Sequence, residues 1–172
     1  ESSVVAAASS AAKYWMDRGG IHAKILGTTK IGQIHFYWSG NESDFRKFLP
    51  EIEQYMRDQA KDILTNMEKR GGGLGKIELQ RISSLEDYYQ LRIEFETCDS
   101  MGANFINTCL ESLAMSLERF IETSEKWPAE HREIEVLMSI LSNYTPDCLV
   151  KVWVEAEIQD LGKFNEDMTS EE

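Results

Sequence analysis

Apolar side chains recur at helical spacing in three stretches of the chain, residues 3–17, 45–67 and 101–121. In the second stretch every step between apolar positions is one, three or four residues, which predicts an amphipathic helix. The third stretch carries a similar apolar stripe. The first is rich in alanine, the strongest helix former, and two glycines follow it.

Strict alternation replaces the helical period in residues 89–97, where Tyr89, Leu91 and Ile93 share one face and polar residues occupy the other. A strand that is buried on one side only is typical of an antiparallel sheet. Further β-rich runs cover residues 21–26, 31–38, 76–82, 133–141 and 149–158. The tetrapeptide GTTK between the first two runs predicts a hairpin or a bent strand.

This order of elements predicts an α+β fold of the ferredoxin-like, or split βαβ, kind. Two long helices would cover one face of an antiparallel sheet, and the N-terminal helix would lie outside that unit. The final segment, KFNEDMTSEE, is acidic, and we expect it to be disordered.

Charge and composition exclude several classes of partner. The net charge of −12 argues against a nucleic-acid surface and against an anionic membrane, and no apolar run is long enough to span a bilayer. The three cysteines form no CxxC pair and the three histidines are scattered, so no disulfide framework or metal site is indicated. We therefore expect a cytoplasmic protein. The chain opens at Glu1 directly into a helical pattern, so we also expect a fragment of a longer protein.

The most informative turn is TCDSMGANFINT, at residues 97–108, between a predicted strand and a predicted helix. Asp99 or Ser100 can cap the helix, and Gly102 would let a ligand approach the backbone. Free amides and the positive end of the helix dipole would then favour an anion such as a pyrophosphate. The alternative is a capped helix start that binds no ligand.

A second turn, RGGGLG at residues 70–75, allows two interpretations. The glycines can form a phosphate cradle, or they can end a helix and begin a flexible turn. The cations that precede them, Lys69 and Arg70, suit a helix C-terminus in either case.

Two stretches together resemble one family. ESSVVAAASSAAK, at residues 1–13, is similar to the glutamate–helix motif of 3-hydroxy-3-methylglutaryl-coenzyme A (HMG-CoA) reductase. TCDSMGANFINT resembles that family's Asp-Ala-Met-Gly-x-Asn cofactor motif, with Ser100 where alanine is usual. The likeness covers residues 1 to about 160 and is strongest to the class II, bacterial-type enzymes.

The resemblance implies three regions. Residues 1–20 would belong to the large substrate domain or to a hinge, residues 21–160 would form the small NAD(P)-binding domain, and residues 161–172 would be the acidic tail. Glu1 would be the catalytic glutamate, and Ser3 would contact substrate. NADPH or NADH would be bound by Asp99, Met101, Gly102, Ala103, Asn104 and Arg70.

The family reaction interconverts HMG-CoA and mevalonate plus coenzyme A by two hydride transfers. The full enzyme would be a homodimer, with no nucleic acid or membrane as partner. A 2′-phosphate requires an arginine near the adenosine ribose, so Arg70 slightly favours NADPH over NADH as the cofactor.

Three family residues have no match here: the catalytic lysine, its aspartate partner and the histidine that protonates the thiolate. We therefore expect the isolated chain to be inactive. A ferredoxin-like regulatory or dimerisation module that binds a small metabolite is the alternative, and a structural domain without a ligand is a third interpretation.

Overall fold

Three helices and six strands follow one another in the computed structural model, which describes residues 2–161. The helices are α1 (Ser2–Met16), α2 (Glu42–Glu68) and α3 (Ala103–Thr123). The strands are β1 (Ile21–Thr28), β2 (Lys30–Tyr37), β3 (Gly73–Arg81), β4 (Tyr88–Glu96), β5 (Glu135–Leu141) and β6 (Cys148–Val154). The α+β class is confirmed.

The larger of two compact units, residues 28–148, contains a four-stranded sheet. Its strand order is β3-β4-β2-β5, and every neighbouring pair is antiparallel. The succession β2-α2-β3-β4-α3-β5 is consistent with the predicted split βαβ arrangement. This order brings the start of β2 beside the end of β4.

Helices α2 and α3 pack against each other and against the sheet, and the core lies between these two layers. Asn41 caps α2 by accepting a hydrogen bond from the amide of Ser43 at 3.0 Å. The stripes predicted for the two helices are their buried faces, and the alternating face of β4 lies opposite them. Fully buried core residues include Ile34, Phe36, Phe45, Ile52, Met56, Leu91, Ile93, Phe95, Ile106, Leu110, Leu113 and Leu117.

The smaller unit comprises the described residues of 1–27 and 149–172. It contains α1 and the pairing of β1 with β6 in a two-stranded sheet. The Tyr14 hydroxyl donates to the carbonyl of Leu161 at 2.5 Å, and the Arg18 guanidinium lies 3.9 Å from the Tyr14 ring centre. No residue of α1 is buried.

The prediction of a hairpin at GTTK is wrong. β1 pairs with β6, whereas β2 lies between β4 and β5, so the two strands have different partners. The chain passes from one sheet to the other across Thr29, as the bent-strand alternative allowed. Local turn chemistry could not decide between these alternatives, because strand partners are set by distant segments.

The predicted cap of α3 is also wrong. α3 begins at Ala103, its N-cap residue is Gly102, and no side chain caps it. The Ser100 hydroxyl instead donates to the Thr97 carbonyl at 2.8 Å, which closes a turn before the helix starts. Neither Asp99 nor Ser100 is therefore at the capping position. The domain boundaries at residues 20 and 160 stay a prediction.

Candidate functional site

The turn between β4 and α3 is held from inside by Thr97, which is only 1% exposed. Its hydroxyl donates to the Ser100 carbonyl at 2.7 Å, and its own carbonyl accepts from the Ser100 amide at 3.1 Å. The Cys98 amide donates to the Glu96 carboxylate at 2.8 Å. These bonds give the turn a defined shape, although most of its side chains face solvent.

Gly102 completes the turn in a left-handed conformation, with φ at +73°. A β-carbon there would lie 2.7 Å from Cβ of Thr97, closer than packed atoms approach. Glycine meets both demands at once, because it tolerates positive φ and has no side chain.

The first turn of α3 then offers unpaired donors. The first amide that bonds within the helix is that of Ile106, which donates to the Gly102 carbonyl at 2.8 Å. The amides of residues 103–105 precede it, and the first turn contains no acidic residue. The helix therefore presents amides and a positive dipole end suited to an anion.

The triple-glycine turn, residues 70–75, lies beside the turn between β4 and α3. The Cys98 thiol donates to the Arg70 carbonyl at 3.3 Å, and a β-carbon at Gly72 would overlap the Glu96 carbonyl. Two segments that the sequence singled out separately are therefore neighbours. The exposed Arg70 stands at the edge of the same surface.

A cation that sequence reasoning missed lies under the turn. The Lys30 ammonium donates to the Thr97 hydroxyl at 2.8 Å and to the Thr28 carbonyl at 3.3 Å. The Thr28 hydroxyl also donates to the Glu96 carboxylate. Thr28 and Lys30 of GTTK thus contact Glu96 and Thr97, where β4 leads into the turn. The alternating patterns of β2 and β4 indicate two strands of one antiparallel sheet. Only their register, in which Lys30 lies opposite Phe95, shows that Lys30 is close to Thr97.

Two residues of this unit with shifted pKa values, Cys109 and His35, lie away from the turn. Burial raises the pKa of the Cys109 thiol to about 12, so Cys109 acts as a packing residue of α3. Partial burial lowers the pKa of His35, whose ring lies 3.0 Å from the Tyr88 hydroxyl. Neither residue lines the turn.

The structure brings most of the predicted site residues together. Five lie on or directly after the turn: Asp99, Met101, Gly102, Ala103 and Asn104. Arg70 is on the adjacent glycine turn. Ser3 is an exposed residue of α1 in the smaller unit, and Glu1 lies outside the described residues.

Residues 2–161 contain neither a metal-binding cluster nor a helix suited to cross a membrane. No group of three or more His, Cys, Asp or Glu residues there could hold a metal ion. None of its helices combines the length and the apolar character that a bilayer crossing requires.

These features define an α+β protein in which a helix begins without a side-chain cap, after a short turn that follows an antiparallel strand. The chain belongs to the hydroxymethylglutaryl-coenzyme A reductase family, whose model matches residues 1–172. The resemblance seen in the two sequence motifs is thereby confirmed.

Among curated relatives, a protein of Borreliella burgdorferi named "Probable 3-hydroxy-3-methylglutaryl-coenzyme A reductase" is 33% identical over 114 residues, which are 66% of this chain and 25% of that protein. The 3-hydroxy-3-methylglutaryl-coenzyme A reductase of Archaeoglobus fulgidus is 32% identical over 123 residues, 69% of this chain and 28% of that protein. The aligned region thus spans about a quarter of each relative.

Solved structures agree. One of the 3-hydroxy-3-methylglutaryl-coenzyme A reductase of Streptococcus pneumoniae superposes with a TM-score of 0.74 at 29% identity, over 97% of this chain and 42% of that one. Another, of the class II enzyme from the same organism bound to NADPH in open conformations, gives a TM-score of 0.64 at 31% identity. It covers 88% of this chain and 38% of that one.

Proposed function

We propose that the larger unit binds a nicotinamide dinucleotide, NADPH or NADH, with its pyrophosphate at the N-terminus of α3. The uncapped helix start behind Gly102 carries this proposal. A class II reductase of similar structure bound to NADPH supports it. In the longer protein the chain would serve a reductase that interconverts HMG-CoA and mevalonate plus coenzyme A.

Two dinucleotides bound in succession would supply one hydride each, the first to a thioester and the second to an aldehyde carbonyl. Residues 97–104 would bind and orient the dinucleotide. The amides of Ala103 and Asn104 would donate to phosphate oxygens, since backbone amides at a helix start are well placed for this. Asp99 and Asn104, both exposed, would line the dinucleotide, and the side-chain amide of Asn104 would donate to the pyrophosphate. Met101, which is 74% exposed, would be covered by the ligand.

The apolar surface of the smaller unit supports the proposed place of residues 1–20 in the large substrate domain or a hinge. Its apolar side chains are unusually exposed: Val4 is 70% exposed, Ile25 65% and Val152 60%. Apolar groups clustered in this way usually pack against another part of a protein. Residues 1–20 would thus belong to the large substrate domain or a hinge, where Glu1 would handle protons and Ser3 would contact substrate.

The chain of 172 residues is expected to form no mevalonate from HMG-CoA and NADPH. It has no match for the family's catalytic lysine, aspartate or histidine, and removing groups that act as a unit costs most of the rate. The check is product formation by the isolated chain beside that of the full-length protein. Measurable turnover by the isolated chain would contradict the proposal.

Arg70 tests the cofactor assignment. Replacing Arg70 with alanine in the full-length protein is expected to weaken NADPH binding about tenfold, because a charged hydrogen bond contributes about 1.5–3 kcal/mol. NADH, which has no 2′-phosphate, should bind within about twofold of the wild type. Fluorescence titration with both cofactors measures the difference.

The matched control is Arg119→Ala, which removes another exposed arginine, on α3. It should leave both affinities unchanged. If Arg70→Ala leaves NADPH binding unchanged, Arg70 has no role in the site. If the wild-type protein binds neither cofactor, the proposed function itself is wrong.

A further inference from the structure

We infer that Lys30 is a positioning residue of the dinucleotide site, which shapes the turn before α3 and supplies the positive charge that the turn lacks. This inference rests on the proposed function. Lys30 lies on β2, far from the cofactor motif in sequence, and the family resemblance assigned it no role.

Lys30 holds the turn in shape through the hydroxyl of Thr97. Lys30 donates to the Thr97 hydroxyl at 2.8 Å, and that hydroxyl donates in turn to the Ser100 carbonyl at 2.7 Å. Because the ammonium can only donate, the Thr97 hydroxyl accepts from Lys30 and directs its own hydrogen at the Ser100 carbonyl. Lys30 therefore fixes the rotamer of Thr97 and, through it, the closed turn at Ser100.

The side chain of Thr97 in turn contacts the residue that starts α3. The methyl group of Thr97 faces the α-carbon of Gly102, since a β-carbon at Gly102 would overlap it. A rotation of the Thr97 side chain would therefore press on the residue that starts α3. The direction of the amides at residues 103–105 depends on that residue.

Lys30 also places a positive charge beside the turn. No carboxylate within residues 2–161 forms an ion pair with Lys30, although eight such pairs join other side chains. Its two acceptors, the Thr97 hydroxyl and the Thr28 carbonyl, are both neutral. Lys30 is half-buried, and its charge is available to a ligand at the turn because no carboxylate of the described residues pairs with it.

The charge has a specific use here. The turn carries Asp99 and follows Glu96, and the chain as a whole has a net charge of −12. A pyrophosphate brought to this surface would meet repulsion from both carboxylates. The Lys30 ammonium offsets that repulsion from beneath the turn, and the helix dipole adds to it.

The test compares Lys30→Met, which keeps much of the apolar stem, with Lys30→Arg, which keeps the charge. Both are made in the full-length protein, and NADPH affinity is measured by fluorescence titration at two salt concentrations. Lys30→Met is expected to weaken NADPH binding about tenfold and to flatten its salt dependence. Lys30→Arg should recover most of the affinity and the original salt dependence.

Steady-state kinetics give a second readout. Lys30→Met should raise the KM for NADPH about tenfold and change kcat by less than about twofold, because the lost interaction serves binding rather than the transition state. The KM for HMG-CoA should stay within about twofold of the wild type. A general loss of folding would lower kcat through the amount of active protein and would leave KM unchanged.

Thr97→Val separates the two contributions. It removes the hydroxyl and keeps the shape, so it should weaken NADPH binding while the salt dependence is retained. The double variant should be less impaired than the product of the two single effects, because both act through one contact. Lys47→Met is the control: Lys47 is an exposed lysine paired with Asp44 on α2, and its loss should change nothing.

The outcomes are distinct. Unchanged NADPH affinity in Lys30→Met, with the wild type binding normally, would overturn the role of Lys30 and leave the proposed function standing. Equal losses in Lys30→Met and Lys30→Arg, with unaltered salt dependence, would overturn the electrostatic part. Failure of the wild type to bind NADPH would instead contradict the proposed function.

Discussion

Replacing Gly102 with alanine is expected to reduce dinucleotide affinity by roughly 10- to 100-fold and to destabilise the fold by about 2–5 kcal/mol. The stability loss adds the cost of a left-handed alanine, about 1–2 kcal/mol, to that of overpacking against Thr97, about 1–3 kcal/mol. The affinity loss corresponds to one or more charged hydrogen bonds at about 1.5–3 kcal/mol each.

Urea unfolding and NADPH titration of the full-length protein measure the two effects. Gly71→Ala is the matched control for stability, because Gly71 has φ at +90° and a β-carbon there would meet nothing within 4 Å. It should incur only the backbone cost, about 1–2 kcal/mol. Equal losses of stability in the two variants would show that the contact with Thr97 is unimportant.

Replacing Trp38 with alanine is expected to destabilise the larger unit by about 3–5 kcal/mol, the usual cost of removing a large buried aromatic side chain. Trp38 is 1% exposed, and its ring lies 5.2 Å from that of Phe45 and 5.5 Å from that of Trp127, between centres. Its indole N–H donates to the His131 carbonyl at 2.8 Å.

Trp38→Phe should be milder, about 1–2 kcal/mol, because it retains an aromatic ring and the same carbonyl still accepts from the Trp127 indole at 2.8 Å. Tyr37→Ala is the matched control, since Tyr37 is the neighbouring aromatic residue and is 37% exposed. It should cost less than about 1 kcal/mol. A loss below 2 kcal/mol in Trp38→Ala would show that the cluster relaxes around the cavity.

The helices and strands of the larger unit were predictable because their signals are local and repeated. The apolar stripe of α2 recurs over many turns, and the alternation along β4 identifies the face that packs in the core. The split βαβ order followed from the succession of these elements. The end of α2 at the glycine turn was equally local, because glycine stops helices by its own backbone preference.

The cap of α3 shows where local reasoning failed. Asp99 and Ser100 have strong capping preferences, yet the helix starts after Gly102. Thr97, fixed by Lys30 from another strand, holds Ser100 in a turn of its own. A single capping bond contributes about 1 kcal/mol, which a few tertiary contacts can exceed.

By itself, the sequence determined the α+β class, the faces of its helices and the cofactor-like motif at residues 97–104, since each depends on residues close together along the chain. Only the tertiary structure decided that β1 and β2 join different sheets, that the glycine turn lies against Cys98, and that Lys30 supports Thr97. Each of these features depends on contacts between residues that are far apart in the sequence. Which residues meet is set by the register of the strands, and this depends on how the sheet packs as a whole.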